Sequence, residues 1–387
     1  MAIKIAQRAL VPPFIVMDVM REAAALEAAG RSIIHLEVGQ PSTGIPRAAA
    51  ARIGQILGGD TLGYTLANGL PALRARIARH YKESDGVDVA PERIFVTTGS
   101  SGGFVLAFLA AFEAGDRVAL AAPGYPAYRH ILTSLGVVPE LIEVNADSRY
   151  QPTVAHLKKM TRLPEGLIVG SPANPTGSVI PPEEFRELAA FCDTNGVRLI
   201  SDEIYHGITY GMKATTAAGL SGTAIIVNSF SKYFSMTGWR LGWLVVPPDF
   251  ARPLECLAQN LFIAPPAISQ HGGIAVFDCL DELEANVARY ARNREILLRR
   301  LPEIGFEKFA PADGAFYIYA DISNFGEDAA VLCSRMLNEA GVATTPGIDF
   351  DPFKGHRFVR FSFAGSEADM EEACARLLAW RAQKTRA

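Results

Sequence analysis

The chain has 387 residues, 49% of them hydrophobic and 20% charged, the balance of a folded globular protein long enough for two domains. Its 37 basic and 41 acidic residues leave a net charge of -4, too even to suggest a nucleic-acid or membrane-surface partner. The five cysteines, Cys192, Cys256, Cys279, Cys333 and Cys374, are scattered, with no CxxC pair and no metal spacing, which points to reduced thiols in a cytoplasmic protein without a metal site.

The N-terminal stretch "MAIKIAQRALVPPFIVMDVM" lacks the apolar core and cleavage site of a secretory signal. No apolar run approaches the roughly 18 residues of a membrane span. The strongest candidate, "GGFVLAFLAAF", is ended by Glu113 and reads as a buried helix. Residues 1–45 do not fit the pattern that follows and are assigned, with 281–387, to a small α+β domain and N-terminal arm.

Between residues 90 and 246 short apolar runs alternate with amphipathic ones. "RIFVTTG", "RVALAAP", "PELIEV", "GLIVGSP", "VRLISDE", "AIIVNSF" and "LGWLVVP" are β-branched, brief and bounded by Gly, Pro, Asp or Ser, as strands are. Helical stretches such as "SGGFVLAFLAAFEAG" and "PPEEFRELAAFCDTNG" lie between several of them. The expected fold is α/β, a mostly parallel sheet covered by helices on both faces, spanning 46–280. Beyond 249 come long helices, including "ELEANVARYARNREILLRRL", and two further strands in "GAFYIYADI" and "HRFVRFSFA".

In an open α/β sheet, ligands bind beyond the carboxyl ends of the strands, and the polar residues cluster there. "IFVTT" runs into Gly99-Ser100-Ser101-Gly102-Gly103 and a helix, a place where backbone N–H groups receive an anion; an ordinary helix cap looks the same. Tyr125 follows "VALAAP" and could stack on a flat ring or pack in a turn. Asn174 follows "LIVGSP" in what could be a simple turn. Asp202 and Tyr205 follow "VRLIS", and a carboxylate closing a buried strand is costly without a cationic partner. "SFSKYFSMTGWRLGW" places Lys232 among small hydroxyls and aromatic residues, with Arg240 beyond an apolar turn. A phosphate cradle, a ring stacker, an acid and a lone amine together match pyridoxal phosphate.

With these motifs in order, "EVGQPSTGIP", "GYT", "TTGSSGG", "PGYPAY", "SPANPTG", "SDEIY", "SFSKYFSMTGWRLGW" and "RFSFA", the chain resembles the pyridoxal-phosphate-dependent class I/II aminotransferases of fold type I over roughly residues 30–380. The resemblance implies that Lys232 carries the cofactor and moves the proton at the substrate Cα. It implies that Asp202 pairs with the ring nitrogen, that Tyr205 and Asn174 bond the ring hydroxyl oxygen, and that Tyr125 stacks on the ring. Ser100, Ser101, Ser229 and Arg240 would hold the phosphate, with Tyr64 reaching over from the partner of a homodimer. Arg360 would grip the substrate α-carboxylate, aided by Asn174 and the backbone at Gly39. Ser231 competes for the phosphate and Arg357 for the carboxylate. His206 could line the pocket or lie on the surface.

The implied activity is transfer of an amino group between an L-amino acid and a 2-oxo acid by a ping-pong mechanism. Neutral amino acids are expected as donors, because "TTGSSGG" offers no cation for a distal carboxylate, although Arg129, His35 or a partner arginine could supply one. A carbon–sulfur β-lyase of the same fold would share every motif. An effector-binding regulator would need a DNA-binding module before the first motif near residue 37. A dinucleotide-binding enzyme would need a GxGxxG turn with an acidic residue about 20 positions on, and neither is present.

Overall fold

The computed structural model of the chain describes residues 3–59 and 61–384. Along the sequence its strands are β1 (Ile34–His35), β2 (Ile94–Thr97), β3 (Arg117–Ala122), β4 (Val138–Glu143), β5 (Gly166–Gly170), β6 (Arg198–Asp202), β7 (Ile225–Ser229), β8 (Gly242–Val245), β9 (Tyr317–Asp321), β10 (Val342–Ala343), β11 (Thr345–Pro346) and β12 (Phe358–Ser362). The main sheet has seven strands in the order β2-β8-β7-β6-β5-β3-β4. Its pairings are parallel except those of β8, which runs antiparallel to both β2 and β7. All seven segments expected as strands of this sheet form it.

Alternation along each strand explains why both faces are apolar. Ile168, Ile200, Val227 and Leu244 face a core with Phe104 and Phe108 of the helix Gly99–Ala111 and Leu254 of the helix Ala251–Phe262. Leu167, Leu199, Ile226 and Trp243 face the opposite core, with Phe185 and Leu188 of the helix Pro182–Asn195. The "GGFVLAFLAAF" stretch is thus a buried helix covering the sheet. Among the described residues no helix is long and apolar enough to cross a membrane.

Two smaller sheets lie outside this body. β11, β12 and β9 form an antiparallel sheet, and β1 pairs parallel with β10, Ile34 opposite Val342. The pairing of β1 carries the N-terminal helix Ile15–Ala28 with it, so that Ala23 packs with Ile33, Leu337 and Ala343. The helix Leu280–Ile304, 25 residues long, spans the side of these elements. The helix Arg47–Leu57 packs instead on the helix Ala267–Val276, against the main sheet.

Candidate active site

The carboxyl ends of β5, β6 and β7 open into a cleft of about 520 Å³. Its walls bring together Gly39, Ser100, Ser101, Tyr125, Asn174, Asp202, Tyr205, Lys232, Arg240 and Arg360. Ten expected residues from seven separate segments therefore converge on one place.

Lys232 sits on a loop fixed from below by aromatic packing. Phe230 and Phe234 flank it and pack on Trp243 and Phe277, with ring centroids 4.9 Å apart for Phe230–Trp243 and for Phe234–Phe277. The loop is closed by hydrogen bonds from the Phe230 amide to Leu241 O at 3.1 Å and from the Met236 amide to Phe230 O at 3.0 Å. The Lys232 ammonium donates to the Gly39 carbonyl at 2.6 Å. Burial pulls the amine down to about 8, the Arg360 and Arg240 guanidinium groups add to this, and Asp202 opposes it. An amine so placed is far closer to its free nucleophilic form at neutral pH than an ordinary lysine.

Asp202 closes β6 and is 4% exposed. Its Oδ1 accepts the Ile204 amide at 3.1 Å, and its Oδ2 accepts the Tyr128 hydroxyl. Burial pushes the carboxyl up to about 7, against the Tyr128 and Ile204 hydrogen bonds and the Lys232 charge, which hold it down. A carboxylate held in this way is matched to a cationic partner from outside the chain. The sequence reading did not single out Tyr128. Its signal was the spacing in "PGYPAY": Tyr125 and Tyr128 lie three residues apart and meet edge to face, centroids 5.2 Å apart.

Arg240 stands beside the start of the helix Gly99–Ala111. Gly99 has φ +71°, and any side chain on it would run into the Arg240 guanidinium. Only glycine lets the helix start and the guanidinium share this space. With Ser100 and Ser101 this makes a cradle for an anion. Ser229 is not part of that cradle's surface. Its hydroxyl accepts the Ser231 amide at 3.0 Å and lies 3.5 Å from the Leu241 carbonyl, and the residue lines a second cavity behind the loop. Ser231 lines the cleft instead, because the chain bends at 230–232 as it leaves β7.

Arg360, 2% exposed, is the arginine that the strand β12 turns into the cleft. It donates to Asn174 Oδ1 at 2.9 Å and to the Glu37 carbonyl, and its guanidinium lies 4.4 Å from the Tyr317 ring centre and 4.7 Å from that of Phe350. Its buried Nε has no hydrogen-bond partner. Arg357 faces outward, toward Ser323 and Asp321. The Tyr205 and Tyr317 hydroxyls lie 2.7 Å apart. Tyr317 escaped the sequence reading, as did Phe14, Val16, Met17 and Met20, which wall one side of the cleft. Nothing in their local spacing marks them. Tyr64 is 91% exposed and outside this chain's cleft.

The residues present fit pyridoxal phosphate: the glycine-walled cradle suits a phosphate, buried Asp202 a basic ring nitrogen, and the amine of Lys232 an aldehyde. A site of this kind at the edge of a mostly parallel sheet defines an enzyme that carries a phosphorylated, nitrogen-containing aromatic cofactor on a lysine.

Comparison with known proteins gives the family. Residues 31–377 match the family described as aminotransferase class I and II. A valine–pyruvate aminotransferase of Mycobacterium tuberculosis is 49% identical over 97% of this chain and 98% of its own length. An aspartate aminotransferase of Sulfurisphaera tokodaii is 31% identical, over 93% of this chain and 92% of its own. Among solved structures, an aminotransferase from Mycobacterium tuberculosis superposes with TM-score 0.97 at 48% identity, over 99% of this chain and 100% of that one. Aspartate aminotransferase from Thermus thermophilus with maleate superposes with TM-score 0.91 at 28% identity, over 98% and 100%. The chain belongs to the aminotransferase class I and II family, and it is an aminotransferase whose cofactor is pyridoxal phosphate.

Proposed function

We propose that the enzyme transfers the amino group of a neutral, aliphatic L-amino acid to a 2-oxo acid in a ping-pong cycle, with valine and pyruvate as the first pair to try. The observation that carries this is the charge inventory of the cleft. Among the described residues lining it, the cations are Lys232, Arg240 and Arg360. In this reading they serve the reacting centre, the phosphate and the α-carboxylate, and no cation is left for a distal carboxylate, which would be buried at a cost. Arg129 is occupied, donating to the Asp349 carbonyl at 2.7 Å. His35 lies between Glu37 at 2.8 Å and Glu27 at 3.1 Å and is outside the cleft. The wall of Phe14, Val16, Met17 and Met20 suits an apolar side chain. The valine–pyruvate relative supports the same choice; the aspartate-named relatives, at lower identity, do not share it.

In this reading each residue of the cleft has a role. Bound pyridoxal phosphate supplies an aldehyde that condenses with amines and a ring that withdraws electrons from the bonds at Cα. Ser100, Ser101, Ser231, Arg240 and the helix start hold the phosphate. Tyr125 covers the ring, Asp202 keeps its nitrogen protonated, and Tyr205 and Asn174 bond the ring oxygen. Arg360, with its free Nε–H, fixes the α-carboxylate in a bidentate fork, which sets the orientation of Cα toward Lys232. Lys232, its amine lowered to about 8, would take the proton from Cα and deliver it beyond the amino nitrogen, to the carbon that the cofactor's aldehyde supplies.

The working unit in this reading is a homodimer, with the site built from 46–280 and closed by the small domain of 1–45 and 281–387. Tyr64 stands out from a loop tied down by Gln270, which donates to Thr65 Oγ1 at 2.9 Å and to the Pro265 carbonyl at 3.0 Å. Leu66, Leu261 and Ile263 are exposed beside these anchor points. An apolar surface that presents a tyrosine fits a second copy of the chain, whose phosphate Tyr64 would reach.

The test is kcat/KM for valine, alanine, methionine, phenylalanine and aspartate with pyruvate as acceptor, alongside the absorbance change on adding each amino acid alone. Aspartate well above all four neutral donors would defeat the substrate reading.

A further inference from the structure

Behind the cleft, on the far side of β5 and β6, lies an arrangement that no step above uses. Glu203 follows Asp202, and His206 follows Tyr205. Asp202 and Tyr205 face the cleft. Glu203, 1% exposed, and His206 lie on the opposite side, where His206 borders a second cavity of about 360 Å³. The His206 Nε2 is 3.1 Å from the carbonyl of Ser171, which closes β5 and leads into Asn174. The His206 Nδ1 is 3.5 Å from Glu203 Oε2. That oxygen has no hydrogen-bond partner, while Oε1 accepts Ser201 Oγ at 3.0 Å and the Ala217 amide at 2.8 Å.

We propose that His206 is a positioning residue for the transamination: its ring bridges the Glu203 carboxyl group and the Ser171 carbonyl and so holds Asp202 and Tyr205 at a fixed spacing from Asn174. This rests on the roles given above to Asp202 and Asn174.

The Ser171 carbonyl only accepts, so the ring donates to it from Nε2, and Nδ1 is left facing Oε2 of Glu203. Burial pushes the Glu203 carboxyl up, and the His206 charge leads the opposing effects. Around the pair, Tyr81 and Asp202 face Glu203, and His80 faces His206. The His80 ring, pulled down to about 4 by burial, is neutral; Asp85, Arg76 and Glu83 act on it, and Lys213 stands at the rim of the same cavity. None of these can replace the contact to Ser171. The brace sits behind the ring-nitrogen acid, the ring-oxygen donors and the neighbour of Arg360, so its loss loosens both cofactor and donor binding.

Three holoenzyme variants test this. His206→Leu removes both ring nitrogens, and both donor KM and the pyridoxal phosphate dissociation constant should rise roughly tenfold, the cost of a buried hydrogen bond, with kcat within about threefold. His206→Gln keeps an amide donor at the place of Nε2 and should recover most of the lost affinity. His206→Asn, whose shorter amide stands at the place of Nδ1 and does not reach Ser171, should not. Should His206→Leu not fold, the comparison of the Gln and Asn variants decides alone. Wild-type affinities in His206→Leu, or equal affinities in His206→Gln and His206→Asn, would overturn the proposal. Asp202→Asn, measured in parallel, reports separately on the role given to Asp202: an unchanged cofactor affinity there condemns that role and not the brace.

Discussion

The Tyr128 hydroxyl donates to Asp202 Oδ2 at the end of β6, deep under the ring of Tyr125. This bond and the Ile204 amide are what oppose the burial that pushes Asp202 up to about 7. Removing a donor from an ionised carboxylate raises its pKa further. Tyr128→Phe should therefore shift the acid limb of kcat/KM to higher pH and lower kcat/KM most below pH 7. Asp202→Asn, which cannot keep the ring nitrogen protonated at any pH, should lose on the order of a hundredfold or more. Superimposable pH profiles for Tyr128→Phe and wild type would show that the phenol does not tune the acid.

Lys232→Ala is expected to retain cofactor through Arg240, Ser100 and Ser101 but to lose turnover. Its amine lines the cleft with a pKa lowered to about 8, and no other lysine is among the lining residues. Single-turnover absorbance with valine is the measurement. Transamination at the wild-type rate would remove Lys232 from the mechanism.

Arg360→Gln should raise the KM for amino donors far more than it lowers kcat, with kcat/KM falling roughly a hundredfold, or about 3 kcal/mol. Arg360→Lys should recover only part of this, because an ammonium cannot form the fork. Arg357→Gln, which touches only Ser323 and Asp321 at the exterior, should leave both constants unchanged. The pair of variants separates the two arginines that the sequence left in competition.

Mixing Lys232→Ala protomers with Tyr64→Phe protomers should restore activity above that of either parent. If Tyr64 serves the partner's site, each heterodimer has one site with both an intact lysine and an intact tyrosine. Light scattering reports the dimer. A fully active monomer is the result that would end this reading.

His35, between Glu37 and Glu27, is raised from 6.5 to about 9, with the Glu37 hydrogen bond the largest cause. A base whose folded pKa exceeds its unfolded value gives stability that is complete below pH 6.5 and lost as pH rises through about 9. The side chain is 42% exposed, so solvent screening holds the contribution to about 1 kcal/mol or less. His35→Gln should therefore lower the Tm at pH 6 to 7 by a few degrees at most and leave it unchanged near pH 10. A difference that grows with pH contradicts the pairing.

The strands of the main sheet were legible because they are short, apolar and bounded by Gly, Pro and polar residues. Lys232, Asp202 and Arg240 were legible because each sits at the edge of such a run, where a charge is conspicuous, and Arg360 because it is a charge in the middle of one. Those are local signals, and chain order preserves them. Tyr128, Tyr317 and the wall from Phe14 to Met20 carry no local signal, since an aromatic or apolar residue in a helix or strand looks like core until its neighbours are known. That Ser231 lines the cleft while Ser229 lines the cavity behind it came down to the bend of the chain after β7. The pairing of β12 with β9 carries Arg360 into the cleft, whereas Arg357 precedes that strand and points out toward Ser323 and Asp321. The His206 contact with the Ser171 carbonyl exists only because β5 and β6 lie side by side. The sequence by itself determined the chemistry at each strand end; the tertiary structure decided which side chains meet, because burial, hydrogen bonding and pKa depend on neighbours that are distant in the chain.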